Sequence, residues 1–105
     1  MGRKKDIEFL KKFKKKLSKN ISVDKMILFG SRATGKTHRW SDFDLIIVSK
    51  KFRGIDSLKR SIGFYNYWNV NYPVDFLCYT PEEFKKLSKQ VTIVKDAAEN
   101  GIEIQ

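Results

Sequence analysis

Three aspartates next to or inside apolar segments carry the chemistry that a metal-dependent reaction needs. Asp42 and Asp44 stand two residues apart at the start of an apolar run, and Asp75 lies within another, residues 74–77. Side chains two positions apart in a strand share a face, with alpha carbons about 7 Å apart. Carboxylates so placed suit Mg²⁺, which relieves their mutual repulsion. The alternative is a solvent-facing pair, together with an Asp75 that is satisfied by a lysine.

A glycine-rich loop precedes these acids. Residues 30–37 read Gly-Ser-Arg-Ala-Thr-Gly-Lys-Thr, which matches the P-loop pattern G-x-x-x-x-G-K-T at every fixed position. A P-loop, however, requires a long helix that begins at its lysine and threonine. Only residues 38–41 separate this segment from the next acidic strand. We therefore disfavour an ATPase or GTPase of the P-loop type.

Apolar spacing predicts the elements that position the acids. Ile7, Leu10, Phe13 and Leu17 recur at helical spacing, so residues 6–18 are predicted to form an amphipathic helix. Short apolar runs at 26–29, 43–48 and 74–79 predict three buried strands.

Two helix-start signals flank the third strand. Asp56 or Ser57 is predicted to cap a helix that ends before Pro73, and its apolar side is formed by Ile55, Leu58, Ile62 and Tyr65. Thr80-Pro81-Glu82-Glu83 predicts a second helix start, because it combines a capping residue, a proline and a glutamate at the favoured positions. A terminal helical region is expected to end near Asn100-Gly101, before an edge strand at 102–104.

Length and composition bound the remaining possibilities. The 105 residues predict a single domain over 1–105, and the one cysteine excludes an intrachain disulfide and a cysteine-based zinc site. No apolar run approaches the roughly 18 residues that a membrane span needs, so a soluble, cytoplasmic protein without membrane contact is expected.

The positive charge is concentrated at the N-terminal end of the chain. There are 22 Lys and Arg against 12 Asp and Glu, a net charge of +10. Nine of the basic residues lie between Arg3 and Lys19, where they share a segment with the predicted helix. A solvated helix face is favoured over a nucleic-acid patch, although nucleic-acid binding remains an alternative.

Other conspicuous side chains are assigned to packing or to the surface. His38 is expected to face solvent and Cys78 to fill the core. The aromatic residues of 64–72 exceed what one helix face needs. Tyr65 and Trp68 are expected in the core, whereas Tyr67 and Tyr72 are left open as exposed or buried.

The glycine loop and the acids together resemble a known signature. The matching residues are Gly30, Ser31, Ala33, Gly35, Ser41, Asp42, Phe43, Asp44, Leu45 and Asp75. Their order and spacing resemble the G-S…D-x-D…D pattern of the DNA polymerase β-type nucleotidyltransferase superfamily, and in particular its minimal nucleotidyltransferase branch. The resemblance implies an α/β (α+β) nucleotidyltransferase fold, in which a small mixed β-sheet of three to four strands packs against helices.

The same resemblance implies an activity and a set of site residues. It implies metal-dependent transfer of a nucleoside monophosphate from ATP or another NTP to a hydroxyl group, with AMP from ATP as the expected case. Asp42, Asp44 and Asp75 would be the catalytic and metal-binding residues, with two Mg²⁺ ions. The nucleotide would be bound by Gly30, Ser31, Arg32 and Ser41. The acceptor implied by the family is a helical HEPN-domain protein, the toxin of a toxin-antitoxin pair in which this chain is the antitoxin.

Two other classes of function stay open on sequence grounds. The first is a catalytically weak binding module that neutralises its partner by contact alone. The second is a basic nucleic-acid-binding domain, whose logarithmic affinity would fall steeply with logarithmic salt concentration.

Substitutions in the glycine loop separate the two phosphate-loop interpretations. We expect Lys36→Ala to cost only modest activity and Ser31→Ala to cost more, because the nucleotidyltransferase pattern uses the serine. Nucleotide affinity measured by titration calorimetry is the readout. Loss of nucleotide binding in Lys36→Ala, with Ser31→Ala harmless, would instead favour a P-loop.

Overall fold

The computed structural model describes residues 3–30, 33, 42–68, 70 and 72–105. Its helices are α1 (Arg3–Leu17), α2 (Pro81–Leu87) and α3 (Ile93–Asn100). Its strands are β1 (Lys25–Phe29), β2 (Phe43–Val48), β3 (Val74–Tyr79) and β4 (Ile102–Glu103).

The four strands form one mixed sheet in the order β3-β2-β1-β4. β1 pairs antiparallel with both β2 and β4, and β2 pairs parallel with β3. The parallel pair requires a crossover connection, which residues 49–73 supply. The predicted strands and the short edge strand at 102–104 are thereby confirmed, as is the small mixed sheet.

Helices cover both faces of this sheet. Along β2, Phe43, Leu45 and Ile47 point to the face on which α1 packs, through the buried residues Leu10, Phe13 and Leu17. The alternate residues Ile46 and Val48 point to the opposite face and pack with α3. Asp44 follows the same alternation, so it belongs to the face that is covered by α2 and α3.

The structure confirms the amphipathic helix that the apolar spacing predicts, as α1. Leu10, Phe13 and Leu17 are buried, Ile7 is half-buried, and most of the intervening lysines are exposed. The helix predicted over residues 6–18 begins earlier, at Arg3, and ends at Leu17. Burial of the apolar stripe stabilises the helix, because an isolated helix of this length is marginal in water.

Helix α2 begins with the predicted cap. The Thr80 hydroxyl accepts a hydrogen bond from the Glu83 N–H, and the Glu83 carboxylate accepts one from the Thr80 N–H at 2.8 Å. Pro81 occupies the first turn, where its missing N–H costs nothing. The C-terminal helix ends at Asn100 with Gly101 as its cap, as predicted.

The helix predicted after Asp56 is wrong. Residues 50–67 form three short 3₁₀ turns, Lys50–Phe52, Ser57–Lys59 and Phe64–Tyr67. Asp56 does cap a turn, since its carboxylate accepts from the Leu58 N–H, but Gly63 interrupts the chain at φ +89°. The proposed apolar side points outward: Leu58 is 87% and Ile62 is 74% exposed.

Arg60 fixes this crossover against the edge of the sheet. Its side chain is only 8% exposed and donates to the Cys78 and Ile55 carbonyl oxygens. It also pairs with the Glu83 carboxylate at 2.5 Å. Because Glu83 is part of the α2 cap, one guanidinium joins the crossover, β3 and α2.

The burial of the aromatic residues agrees only in part with the prediction. Trp68 is buried, as expected, with its ring centroid 5.1 Å from that of Phe43, and its indole N–H donates to the Tyr72 carbonyl oxygen. Tyr65 is 59% exposed, so its placement in the core is wrong. Its hydroxyl instead donates to the Val74 carbonyl oxygen, which positions the ring at the sheet edge. Tyr67 and Tyr72, which the sequence left open, are half-buried beside the core.

Cys78 fills the core as predicted. It is buried on the α1 side of β3, and burial raises the pKa of its thiol to about 12. A thiol with so high a pKa stays protonated at neutral pH and is a poor nucleophile.

Two arginine variants test the importance of the Arg60 junction. We expect Arg60→Ala to lower the free energy of unfolding by about 2 kcal/mol, because it removes several hydrogen bonds from a mostly buried junction. Arg53→Ala is the matched control, since Arg53 also forms a two-point ion pair, with Glu82, but both side chains are more than half exposed. Solvent screening should make its loss much smaller. Equal losses in urea denaturation would show that the junction is unimportant.

Candidate functional site

Asp44 and Asp75 lie side by side on neighbouring parallel strands. They are direct partners in the β2–β3 register, so the backbone holds both carboxylates on one face of the sheet. Asp44 is half-buried and Asp75 is exposed. Two like charges at adjacent sheet positions repel each other, so this arrangement costs folding energy.

The acids stand at the open end of that face. Val94 and Ala97 of α3 pack on Ile27, Phe29, Ile46 and Val48, whereas Asp75 is exposed and Asp44 is half-buried. A cleft of about 530 Å³ results. Its lining includes Gly30, Asp44, Ser61, Tyr65, Asp75, Ile93 and Asp96.

The environment of Asp44 disfavours its charged form. Burial raises the pKa of the Asp44 carboxyl, and the nearby charges of Asp75 and then Asp42 raise it further. The other two predicted acids, Asp75 and Asp42, therefore both act on the Asp44 carboxyl. Their repulsion is the electrostatic condition that a divalent cation relieves.

Gly30 brings the backbone directly against this carboxylate. Its φ of +78° is left-handed, and a Cβ added there would lie 2.5 Å from Asp44 Oδ2. No other residue fits without displacing the acid. Phe29 is the register partner of Asp44, and Gly30 follows Phe29 directly. The pairing of β1 with β2 therefore brings Gly30 next to the Asp44 side chain.

The donor set is compatible with magnesium that shares its ligands with a bound phosphate. Carboxylate oxygens are the ligands that Mg²⁺ prefers, and Mg²⁺ is typically held by one or two carboxylates plus phosphates. Within the described ranges, no three acidic, histidine or cysteine side chains form a ready-made metal cluster. Asp44 and Asp75 are adjacent, while Asp42 is an exposed residue immediately before β2. The three-acid metal site stays a prediction.

Several predicted site residues lie outside the described residues. These are Ser31, Arg32 and Ser41. Lys36 of the glycine loop and His38, which was expected to face solvent, also lie outside them. Ala33 is described: it is buried, and its N–H donates to the Gly30 carbonyl oxygen at 3.1 Å.

Sequence reasoning missed the walls of the cleft. Ser61, Ile93 and Asp96 were not singled out, and Tyr65 was assigned to the core. No local signal could have identified Ile93 and Asp96, because the packing of α3 onto the sheet brings them to the acids. The excess of aromatic residues in 64–72 was the one available hint for Tyr65.

No helix in the described part of the chain is both long and apolar enough to cross a bilayer.

The chain matches known proteins along most of its length. Residues 10–103 match the family model of the nucleotidyltransferase domain. The chain is 32% identical over 101 residues to the "Putative protein adenylyltransferase MJ0141" of Methanocaldococcus jannaschii, covering 93% of this chain and 97% of that protein. It is also 32% identical over 80 residues to the "Probable protein adenylyltransferase MntA" of Haemophilus influenzae, covering 71% of this chain and 68% of that protein.

A solved structure supports the fold assignment. The crystal structure of "a putative nucleotidyltransferase from Sulfolobus solfataricus" superposes on this chain with a TM-score of 0.67 at 18% sequence identity. The superposition covers 96% of this chain and 80% of that one. The mixed sheet with helices on both faces is therefore an α+β nucleotidyltransferase fold. Since the family model spans nearly the whole chain and includes the glycine loop and all three acids, this protein belongs to the nucleotidyltransferase domain family.

Proposed function

We propose that this chain transfers AMP from ATP to a hydroxyl group on a partner protein. The observation that carries the proposal is the pairing of Asp44 with Asp75 at the open end of the sheet, directly beside Gly30. Two similar proteins are named protein adenylyltransferases, which supports AMP as the transferred group and a protein as the acceptor.

Each predicted residue has a role in this reaction. Gly30 lets the backbone approach the triphosphate, and Ser31, Arg32 and Ser41 contact the phosphates. Asp42, Asp44 and Asp75 hold Mg²⁺, as two ions. When bound, magnesium neutralises charge on the phosphates and on the leaving pyrophosphate.

The proposed transfer forms one bond, breaks one bond and moves one proton. The acceptor oxygen forms a bond to the α-phosphorus of ATP, and the bond from that phosphorus to the bridging oxygen breaks, which releases pyrophosphate. Asp75 is exposed and accepts the proton of the attacking hydroxyl. Asp44, held against Gly30, orients the phosphate region.

Exposed apolar side chains near the cleft support a macromolecular acceptor. Tyr65 and Ile93 line the cleft and are each more than half exposed. Leu58 and Ile62 lie in the turns that lead to Tyr65, and Val91 precedes Ile93; all three are strongly exposed. Clusters of this kind mark surfaces that bind other proteins.

We assign the acceptor to the class of helical HEPN-domain proteins, with this chain as the antitoxin of the pair. The resemblance to the minimal nucleotidyltransferase branch supports that assignment. In a purely contact-dependent antitoxin, the acids would be dispensable for neutralisation.

The replacement of one acid tests the enzyme. We expect Asp44→Asn to lower AMP transfer at least about 100-fold, because it removes a carboxylate that would hold the Mg²⁺ which neutralises charge on the phosphates. The measurement is transfer of α-³²P-labelled AMP from ATP to a HEPN-domain protein encoded beside this chain, with pyrophosphate release as the second readout. Asp56→Asn is the matched control, since asparagine also caps a turn and Asp56 lies outside the cleft.

The stability of Asp44→Asn tests the direction of the Asp44 pKa shift. The folded-state pKa of Asp44 is raised above its unfolded value, so its ionisation lowers the free energy of unfolding as the pH rises through that interval. The full penalty is present above the folded-state pKa. Asp44→Asn should therefore be no less stable than wild type in metal-free buffer.

Retained AMP transfer by Asp44→Asn would contradict the enzyme proposal. Retained toxin neutralisation without AMP transfer would favour the contact-only antitoxin.

A further inference from the structure

A second, larger cleft lies at the opposite end of the sheet from the acids. It has a volume of about 650 Å³, and we call it the basic groove. Its defining residues are Lys25, Lys50, Lys85, Val48, Pro81 and Phe84. Val48 stands four residues after Asp44 on β2, about 13 Å along the strand. The basic groove is therefore separate from the cleft that contains Asp44 and Asp75, which we call the acidic cleft.

The rim of the basic groove carries excess positive charge. Four cationic side chains and a single acid, Asp24, line it. Arg53 is paired with Glu82, and Lys25 lies 3.4 Å from Glu103 in an exposed ion pair. Across the described ranges, neither the Lys50 nor the Lys85 ammonium group forms an ion pair. These two lysines are available to an anionic ligand.

The floor of the basic groove is apolar. Val48 is buried, while Pro81 and Phe84 are half-buried and present part of their surface to the groove. A ligand that carried only charge would leave this surface unused. A ligand with both carboxylates and an apolar side chain would complement the rim and the floor together.

Hydrogen bonds hold the walls in place before any ligand binds. Buried Ser49 donates through its hydroxyl to the Ser22 carbonyl oxygen at 2.5 Å, and the Lys50 N–H donates to Asp24 Oδ2. The opposite wall is α2, whose start is fixed by the Thr80 and Glu83 cap. A preformed groove loses little conformational entropy on binding.

We propose that the basic groove binds an acidic amphipathic segment of another polypeptide. Carboxylates of that segment pair with Lys50 and Lys85, and an aliphatic side chain rests on Pro81 and Phe84. Single-stranded nucleic acid is the less suitable ligand, because its bases stack on exposed aromatic rings. Phe84, the one aromatic ring in the lining, is half-buried against the core around α3. This inference does not depend on AMP transfer.

Peptide binding tests the basic groove. The probe is a fluorescein-labelled helical peptide that is rich in Glu and carries Leu at positions i and i+4, measured by anisotropy at about 0.15 M salt. We expect the double variant Lys50→Glu, Lys85→Glu to bind the peptide at least about tenfold more weakly than wild type, because it replaces two attractions by two repulsions. Replacing both Leu residues of the peptide by Ser should weaken binding to wild type by a similar factor.

The control changes the same charge elsewhere. Lys11→Glu, Lys12→Glu alters two exposed lysines on α1, so a change there of less than about threefold supports a local site. Equal losses in the two double variants would overturn the proposal in favour of diffuse attraction to a +10 chain. The absence of peptide binding to wild type would also overturn it. Tighter, groove-dependent binding of an unstructured oligothymidylate would reassign the groove to nucleic acid. Urea denaturation confirms that each variant folds.

Discussion

The repulsion between the Asp44 and Asp75 carboxylates is the constraint around which the rest of the structure is arranged. Parallel pairing of β2 and β3 puts the two residues opposite each other, and burial of Asp44 makes the contact more costly. The fold holds this arrangement because extensive apolar packing continues along the same strands. Leu45, Ile46 and Ile47 are fully buried on the two faces of the sheet, so a slip of one residue would turn Asp44 into the apolar face that packs on α1.

The parallel pair in turn depends on how the crossover is held. The backbone hydrogen bonds within these short 3₁₀ turns are local, and Arg60 connects the crossover to the rest of the fold by binding Cys78 and Glu83 as well as Ile55. The same junction positions Ser61 and Tyr65 on the wall of the acidic cleft. Stability at the sheet edge and the shape of the candidate active site therefore share one set of contacts.

The face that carries the acids has two functional ends. Helices α2 and α3 cover its middle, so one end exposes carboxylates and the other exposes lysines above an apolar floor. Both proposals depend on this separation, because it would allow a nucleotide and a polypeptide segment to bind the same small sheet without competing. The net charge of +10 favours anionic ligands, whereas the paired carboxylates of Asp44 and Asp75 repel a triphosphate unless a cation lies between them.

Features with local causes could be predicted from the sequence, and features with distant causes could not. The strand bounds Phe43–Val48 and Val74–Tyr79 and the cap at Thr80 follow from apolar runs and capping chemistry. The helix predicted after Asp56 failed because Ile55, Leu58, Ile62 and Tyr65 imitate helical spacing while facing solvent. Asp44 and Asp75 could be named from the resemblance, but their direct pairing required the parallel register. Ile93 and Asp96 reach the cleft only through the tertiary packing of α3.

The most direct test of the central claim is a calorimetric titration of a non-hydrolysable ATP analogue, with and without Mg²⁺, into wild type and Asp44→Asn. We expect Mg²⁺ to tighten binding to wild type at least about tenfold, because the shared cation removes the repulsion between the carboxylates and the phosphates. In Asp44→Asn the magnesium-dependent gain should be largely lost while the protein stays folded. Equal affinities and equal heats for the two proteins would contradict the claim that the paired carboxylates form a metal-nucleotide site.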